Sequence, residues 1–174
     1  MVEKTITIFG TAKAMPGDLA YTLAENTGKL LAQAGFTIAN GGYGGTMLAA
    51  AKAASEAGGE TIGVTCSAFK RSKANEYVSR EIVTDSPDDR LDTLIKLGRA
   101  YVVLPGGTGT LLELAKVWEL KNKGFPEADK PIILVGGFWK SLVDLIAADE
   151  PDSGRHIRIA GGPDEVRDIL VGSF

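Results

Sequence analysis

The 174-residue chain is 44% apolar, 24% charged and 7% aromatic, an ordinary globular composition and long enough for one domain with its own core. A formal charge of −3 offers no basic surface for nucleic acid and none for an anionic membrane. The lone cysteine, Cys66, and the lone histidine, His156, exclude an intramolecular disulfide, a multi-cysteine zinc site and a His-rich centre, so neither metal nor cofactor is expected.

No apolar run approaches the roughly 18 residues of a membrane helix. Met1-Val2-Glu3-Lys4 leads straight into a strand-like TITIF, without the cationic and apolar segments of a signal peptide. The expected location is a reducing cytoplasm.

In chain order, the strand TITIF ends at Gly10 and a helical pattern follows over about Leu19–Ala34. FTIAN runs into Gly41-Gly42, then a helix over about Thr46–Ala57, then the strand TIGVTC, which ends at Cys66. A helix over about Asp88–Leu97 precedes YVVLP and Gly106-Gly107. Helices are next expected over about Thr110–Lys121, Trp139–Ala147 and Asp164–Val171, separated by PIILV with Gly136-Gly137 and IRIA with Gly161-Gly162. The strands are apolar without clean alternation, as in a parallel sheet buried on both faces. Strand and helix alternate with no linker between them. The reading is α/β: one doubly wound, Rossmann-like domain over residues 1–174, a parallel sheet with helices on both faces.

Glycine is in excess, 22 residues against a usual share of about 7%, and it sits at strand ends. In open parallel sheets ligands bind outside the carboxyl ends of the strands, where glycine lets backbone amides approach closely and helix N-termini favour phosphate. The doublets at 136 and 161 are read as β-to-α turns. Two loops carry more glycine than a turn needs: Gly41-Gly42-Tyr43-Gly44-Gly45-Thr46 and Pro105-Gly106-Gly107-Thr108-Gly109-Thr110. Neither is a G-x-G-x-x-G fingerprint, because Met47 and Leu112 stand where the last glycine belongs, and no P-loop signature occurs. The second loop resembles the G-G-D-G-T stretch of NAD and lipid kinases, but Thr108 replaces the aspartate.

Glu113 follows Thr110 by three residues. That spacing is a capping box, and it also sets a carboxylate beside an anion loop, where a sugar hydroxyl or developing cation would sit. Ser86-Pro87-Asp88-Asp89 reads as a helix start, with Ser86 as N-cap and Pro87 at the first helical position. Arg90 then lies in the opening turn, at the same sheet edge as Gly106–Glu113. It either faces solvent, pairs with an aspartate, or flanks one crevice with Glu113.

P-G-G-T-G-T-L-L-E at 105–113 resembles the P-G-G-x-G-T-x-x-E motif of the Lonely-Guy family, phosphoribohydrolases that release cytokinin bases from their nucleotides. The likeness extends to the F-G-T opening, G-G-Y-G-G-T-M, the 90–120 segment and KPIILVGGFW. It implies hydrolysis of the N-glycosidic bond of a nucleoside 5′-monophosphate, of AMP or modified-adenine type. Gly106, Gly107, Thr108, Gly109 and Thr110 would hold the 5′-phosphate. Gly42, Gly44, Gly45 and Thr46 would line the same pocket. Glu113 would bind ribose hydroxyls and stabilise the oxocarbenium-like transition state or orient water, and Arg90 would assist departure of the base. A homodimer or higher homo-oligomer is implied as well.

The chain departs from the family at Ser86–Leu91, where Leu91 replaces a lysine and no histidine is near. It is similar also to molybdenum-cofactor carrier proteins, which bind a phosphorylated pterin. Three readings follow: a nucleotide N-glycosidase, a carrier for a phosphorylated ligand, and a nucleotide sensor. Of the remaining residues, Lys70-Arg71-Ser72-Lys73 is read as a solvated loop or a flap over phosphate. Cys66 is read as packing, His156 as surface or edge, Trp118 as core or oligomer contact, and Tyr43 as a ligand gate or a packed turn aromatic.

Overall fold

The structure is a computed structural model that describes residues 4–70 and 73–174. Arg71 and Ser72 of the basic run, like Met1–Glu3, lie outside the described residues. Among the described residues seven strands pair in parallel throughout: β1 (Thr5–Phe9), β2 (Thr37–Asn40), β3 (Thr61–Cys66), β4 (Arg80–Thr84), β5 (Ala100–Val103), β6 (Ile132–Val135) and β7 (Ile157–Ala160). Their order across the sheet is β4-β3-β2-β1-β5-β6-β7. The chain builds outward from β1 to β4, crosses back, and continues from β5 to β7 on the other side. Strand order therefore reverses at β1, and a crevice opens where the loops after β1, β2 and β5 diverge.

Helices cover both faces, as the sequence predicts. On one face α1 (Leu19–Gln33), α2 (Thr46–Glu56) and α7 (Pro163–Val171) bury Tyr21, Leu31, Ala50, Val166 and Leu170 against Ile6, Ile38, Val102 and Ile133. On the other, α3 (Pro87–Leu97), α4 (Thr108–Asn122) and α5 (Lys140–Asp149) bury Leu94, Leu114, Trp118 and Val143 against Phe9, Val64, Tyr101 and Leu134. This doubly covered, Rossmann-like α/β sheet explains why the five inner strands carry no charged residue, with Thr5, Thr7, Asn40, Thr61 and Thr65 buried among apolar neighbours.

The edges behave differently. β4 is an edge strand whose residues, apart from Thr84, stay at least partly exposed, so its sequence REIVT carries charge and no buried run. The strand is absent from the sequence reading for that reason. The four-residue α6 (Pro151–Gly154) and a 3-10 turn at Pro126–Asp129 are also additions. No described helix is long and apolar enough to cross a membrane.

Buried polar groups lock the layers. The Thr7 hydroxyl donates to the Leu94 carbonyl at 2.9 Å, joining α3 to β1. The indoles of Trp118 and Trp139 donate to Ser153 and Leu104 carbonyls, each at 3.0 Å. Each such bond contributes about 1 kcal/mol net and would cost more if one partner were removed. Trp118 is thus a core residue of α4, 5% exposed.

Candidate active site

Ser86 caps α3 as its sequence predicts: its hydroxyl oxygen accepts from the Asp89 N–H at 3.1 Å, and Pro87 opens the helix. Arg90 is thereby set at the carboxyl edge of the sheet, and its side chain turns back over the strand ends. Nε donates to the Val64 carbonyl at 2.7 Å and an Nη to the Gly41 carbonyl at 3.1 Å. Both acceptors lie beyond the last β2–β3 register pair, Asn40–Gly63, where strand pairing has stopped. The guanidinium carbon also lies 5.3 Å from the Tyr43 ring centre and 5.7 Å from that of Phe69. Of the sequence alternatives, solvent-facing, aspartate-paired or crevice-flanking, the structure selects the crevice.

Gly41 matters here for space alone. A Cβ on it would strike the Arg90 Nη2 and come within 2.6 Å of Met47 Sδ. Gly41 is absent from the sequence-predicted site, yet it clears the seat that Arg90 occupies.

Facing Arg90 is Glu113 on α4. Its carboxyl pKa is raised to about 7, chiefly because leaving water disfavours the charged form, while the Arg90 charge pulls it only partly back. The two side chains line one cleft of about 340 Å³ with Thr11, Lys13, Tyr43, Met47, Phe69 and the Gly107–Thr110 loop.

The capping-box reading of Thr110 and Glu113 does not hold. The helix begins two residues earlier, at Thr108 with Gly107 as N-cap, so Thr110 is already inside the first turn. Glycine has no side chain to cap with, which leaves the opening amides of α4 without side-chain acceptors. The Thr110 hydroxyl is 2% exposed and has no hydrogen-bond partner among the described residues. Gly106, which lies behind the lining, has no Cβ where that hydroxyl sits. The Thr110 hydroxyl and the uncapped opening amides of α4 thus lie together at the helix N-terminus, where partial positive charge gathers.

The loop after β2 plays another part. Gly42, Gly45 and Thr46 are buried, and none of them, nor Gly44, lines the cleft. The Gly42 N–H donates to Asn40 Oδ1 at 2.8 Å, and Asn75 Nδ2 donates to the carbonyls of Gly42 and Tyr43. The N–H and hydroxyl of Thr46 both donate to the Thr11 carbonyl, at 2.9 and 3.1 Å. These residues hold the wall; their neighbours Tyr43 and Met47 form its surface. The Tyr43 hydroxyl is turned away, accepting from the Cys66 N–H at 2.8 Å, so the ring backs Arg90.

Thr11 and Lys13 are site residues that the sequence reading passed over. The signal available was Gly10, a glycine ending the first strand as glycines end the others, at what proves to be the switch point. Lys13 is exposed and lines the cleft. Leu91, the departure beside Arg90, packs partly buried against the α3–α4 core and does not line the cleft. Among the described residues no His/Cys/Asp/Glu group could hold a metal.

A glutamate and an arginine lining one cleft, beside a glycine-rich helix start at the switch point of a parallel sheet, occur in a chain that matches a known family in sequence as well. The profile of the SLOG cluster4 family fits residues 3–166. The chain belongs to the SLOG cluster4 family. This SLOG chain is 35% identical over 133 residues to a cytokinin riboside 5′-monophosphate phosphoribohydrolase of Mycobacterium tuberculosis, covering 75% of the chain and 70% of the relative. It is 30% identical to a phosphoribohydrolase of the same name from Rhodococcoides fascians, over 82% of the chain and 74% of the relative. Among solved structures, the molybdenum cofactor binding protein of Rippkaea orientalis superposes with a TM-score of 0.81 at 27% identity, covering 99% of this chain and 98% of that one. The molybdenum cofactor carrier protein of Chlamydomonas reinhardtii gives 0.77 at 25%, covering 98% of each.

Proposed function

We propose that this SLOG protein is a nucleoside 5′-monophosphate phosphoribohydrolase, taking AMP or a modified adenine nucleotide to free base and ribose 5-phosphate. The observation that carries the reading is Arg90 and Glu113 on opposite walls of one cleft whose end is an oxyanion loop. The 5′-phosphate would take the Gly107–Thr110 amides and the Thr110 hydroxyl, with Lys13 as a further cation. Glu113 would face the ribose. As the C1′–N bond breaks, positive charge grows on the sugar and negative charge on the base. A preorganised carboxylate stabilises the first and the free N–H groups of Arg90 the second, both more in the transition state than in the ground state. Water adds its hydroxyl to C1′ and its proton leaves with the base.

Only ionised Glu113 can serve this role. The expected kcat/KM therefore rises about tenfold per pH unit below about 7 and levels above it. Purified protein incubated with AMP and other nucleoside monophosphates should release base and ribose 5-phosphate. Glu113→Gln should cut turnover at least about 100-fold, with ribose 5-phosphate affinity changed only a few-fold. Turnover that survives this substitution would overturn the assignment.

The second reading is a non-catalytic binding or carrier protein for a phosphorylated ligand such as molybdenum cofactor. It is favoured by the near-complete overlay on the two cofactor-binding structures. Thermal stabilisation by a phosphorylated ligand without multiple-turnover release of base would put it first. Under either reading the chain would act as one cytoplasmic domain that binds a phosphorylated small molecule, a nucleotide under the first. The exposed α4–α5 face bearing Leu111, Leu112 and Leu145 would be its homo-oligomer contact.

A further inference from the structure

Sheet order fixes which end of the cleft is which. Crossing the carboxyl edge, its wall is made by Gly107–Thr110 after β5, Gly10–Lys13 after β1, Tyr43 and Met47 after β2, and Phe69 after β3. Three strand spacings separate the ends, roughly 14 Å, the span of a nucleotide laid out from phosphate to base. The oxyanion features gather at the β5 end. The β3 end is aromatic, Tyr43 and Phe69 with the Arg90 guanidinium over their rings.

Phe69 is the exposed element of that end. It is 36% exposed, whereas Tyr43 and Met47 are 9% and 8%. It is also held in place: its N–H donates to the Cys66 carbonyl at 3.1 Å, and its ring tilts 50° against Tyr43 at 6.1 Å. The Arg90 guanidinium lies over the ring. Tyr43 cannot offer the same surface, because its ring is buried behind Arg90 and its hydroxyl is committed to Cys66.

We propose that Phe69 is the stacking platform for the ligand's planar nitrogen heterocycle, a nucleobase or a pterin. The ring of the ligand lies on Phe69 and presents its edge to Arg90, while its phosphate reaches the β5 end. This rests on the reading of the cleft as a phosphate site. It makes the protein a receptor for phosphorylated heterocycles and a poor one for plain sugar phosphates. Aromatic stacking tolerates different ring systems, since every heterocycle has a π-face; Phe69 supplies affinity and Arg90 acts on the ring edge.

The test is calorimetric binding of three ligands to Glu113→Gln protein, in which AMP should survive: AMP, a pterin with a phosphorylated side chain, and ribose 5-phosphate, which has no ring. Adding Phe69→Ala should weaken a ring-bearing ligand about tenfold and ribose 5-phosphate less than twofold, and Phe69→Trp should restore the loss. Whichever ring loses affinity identifies the source of the heterocycle. Equal losses for ring-bearing and ringless ligands would overturn the proposal and leave Phe69 as a support for Arg90. Undiminished AMP and pterin binding would overturn it as well. If Phe69-intact protein bound none of the three, the phosphate reading itself would fall and the proposal with it. Ribose 5-phosphate binding without a Phe69 effect on the ring-bearing ligands would sink the proposal alone.

Discussion

The loops after β2 and β5 share a glycine-rich composition and a place at one sheet edge, and their glycines serve opposite ends. After β2, glycine is demanded by the protein: Gly42 and Gly45 have φ of +76° and +63°, and a Cβ on Gly45 would run into the Thr11 carbonyl and Ala12. After β5, Gly107 and Gly109 have ordinary φ and open space within 4 Å of any added Cβ. Nothing in the fold requires them. Packing explains neither glycine, and both lie next to a Thr110 hydroxyl without a partner among the described residues; under the proposed function they leave room for the phosphate.

That contrast can be broken by substitution. Gly45→Ala should be the most damaging, destabilising the fold by about 3–4 kcal/mol, because a positive φ and overlap with backbone atoms combine. Chemical denaturation would measure this, and a loss under 1 kcal/mol would refute the packing account. Gly41→Ala lies between the two kinds. Its added methyl meets the end of a flexible arginine, so the fold should persist with a melting temperature lowered by a few degrees. Arg90 is unseated, however, and kcat/KM should fall about 100-fold. Activity preserved with Arg90 displaced would remove Arg90 from the mechanism. Gly107→Ala should be the mildest: stability within about 0.5 kcal/mol and a KM for AMP raised about tenfold with kcat nearly kept. A large stability loss there would mean that the β5 loop is built like the β2 loop.

How much of this was legible in the sequence depends on what each residue answers to. The inner strands β1, β2, β3, β5 and β6 were readable because burial on both faces leaves no position for a charged side chain, and none of them carries one. β4 was not, because this edge strand opens on the charged pair Arg80-Glu81 and no glycine doublet follows it, whereas the other edge strand, β7, is IRIA ahead of Gly161-Gly162. Arg90 and Glu113 were legible from a helix-start signal and a motif. The fault with Thr110 was one of register: P-G-G-T-G-T begins its helix at Thr108, and a glycine N-cap carries no side-chain signature. Lys13 and Asn75 lie in loops whose paths are set by distant partners, Thr46 for the first and the Gly42–Tyr43 carbonyls for the second. No local spacing encodes such pairings. The glycines of the β2 loop were recognised as special, but whether a glycine serves the fold or a ligand depends on neighbours far away in the chain.

The hold of Arg90 on the carbonyls of Val64 and Gly41 also makes it a cross-link. It joins α3 to the residue after β2 and to the body of β3, just past the point where the ladder between those two strands gives out, much as a rivet closes the end of a seam. The side chain that would act on a leaving base therefore also quiets the backbone around it. Amide hydrogen exchange should show the 41–43 and 64–66 segments opening more often once Arg90 is shortened, with or without a ligand in the cleft. A chain of this fold would have reason to keep that arginine even where turnover had ceased to matter.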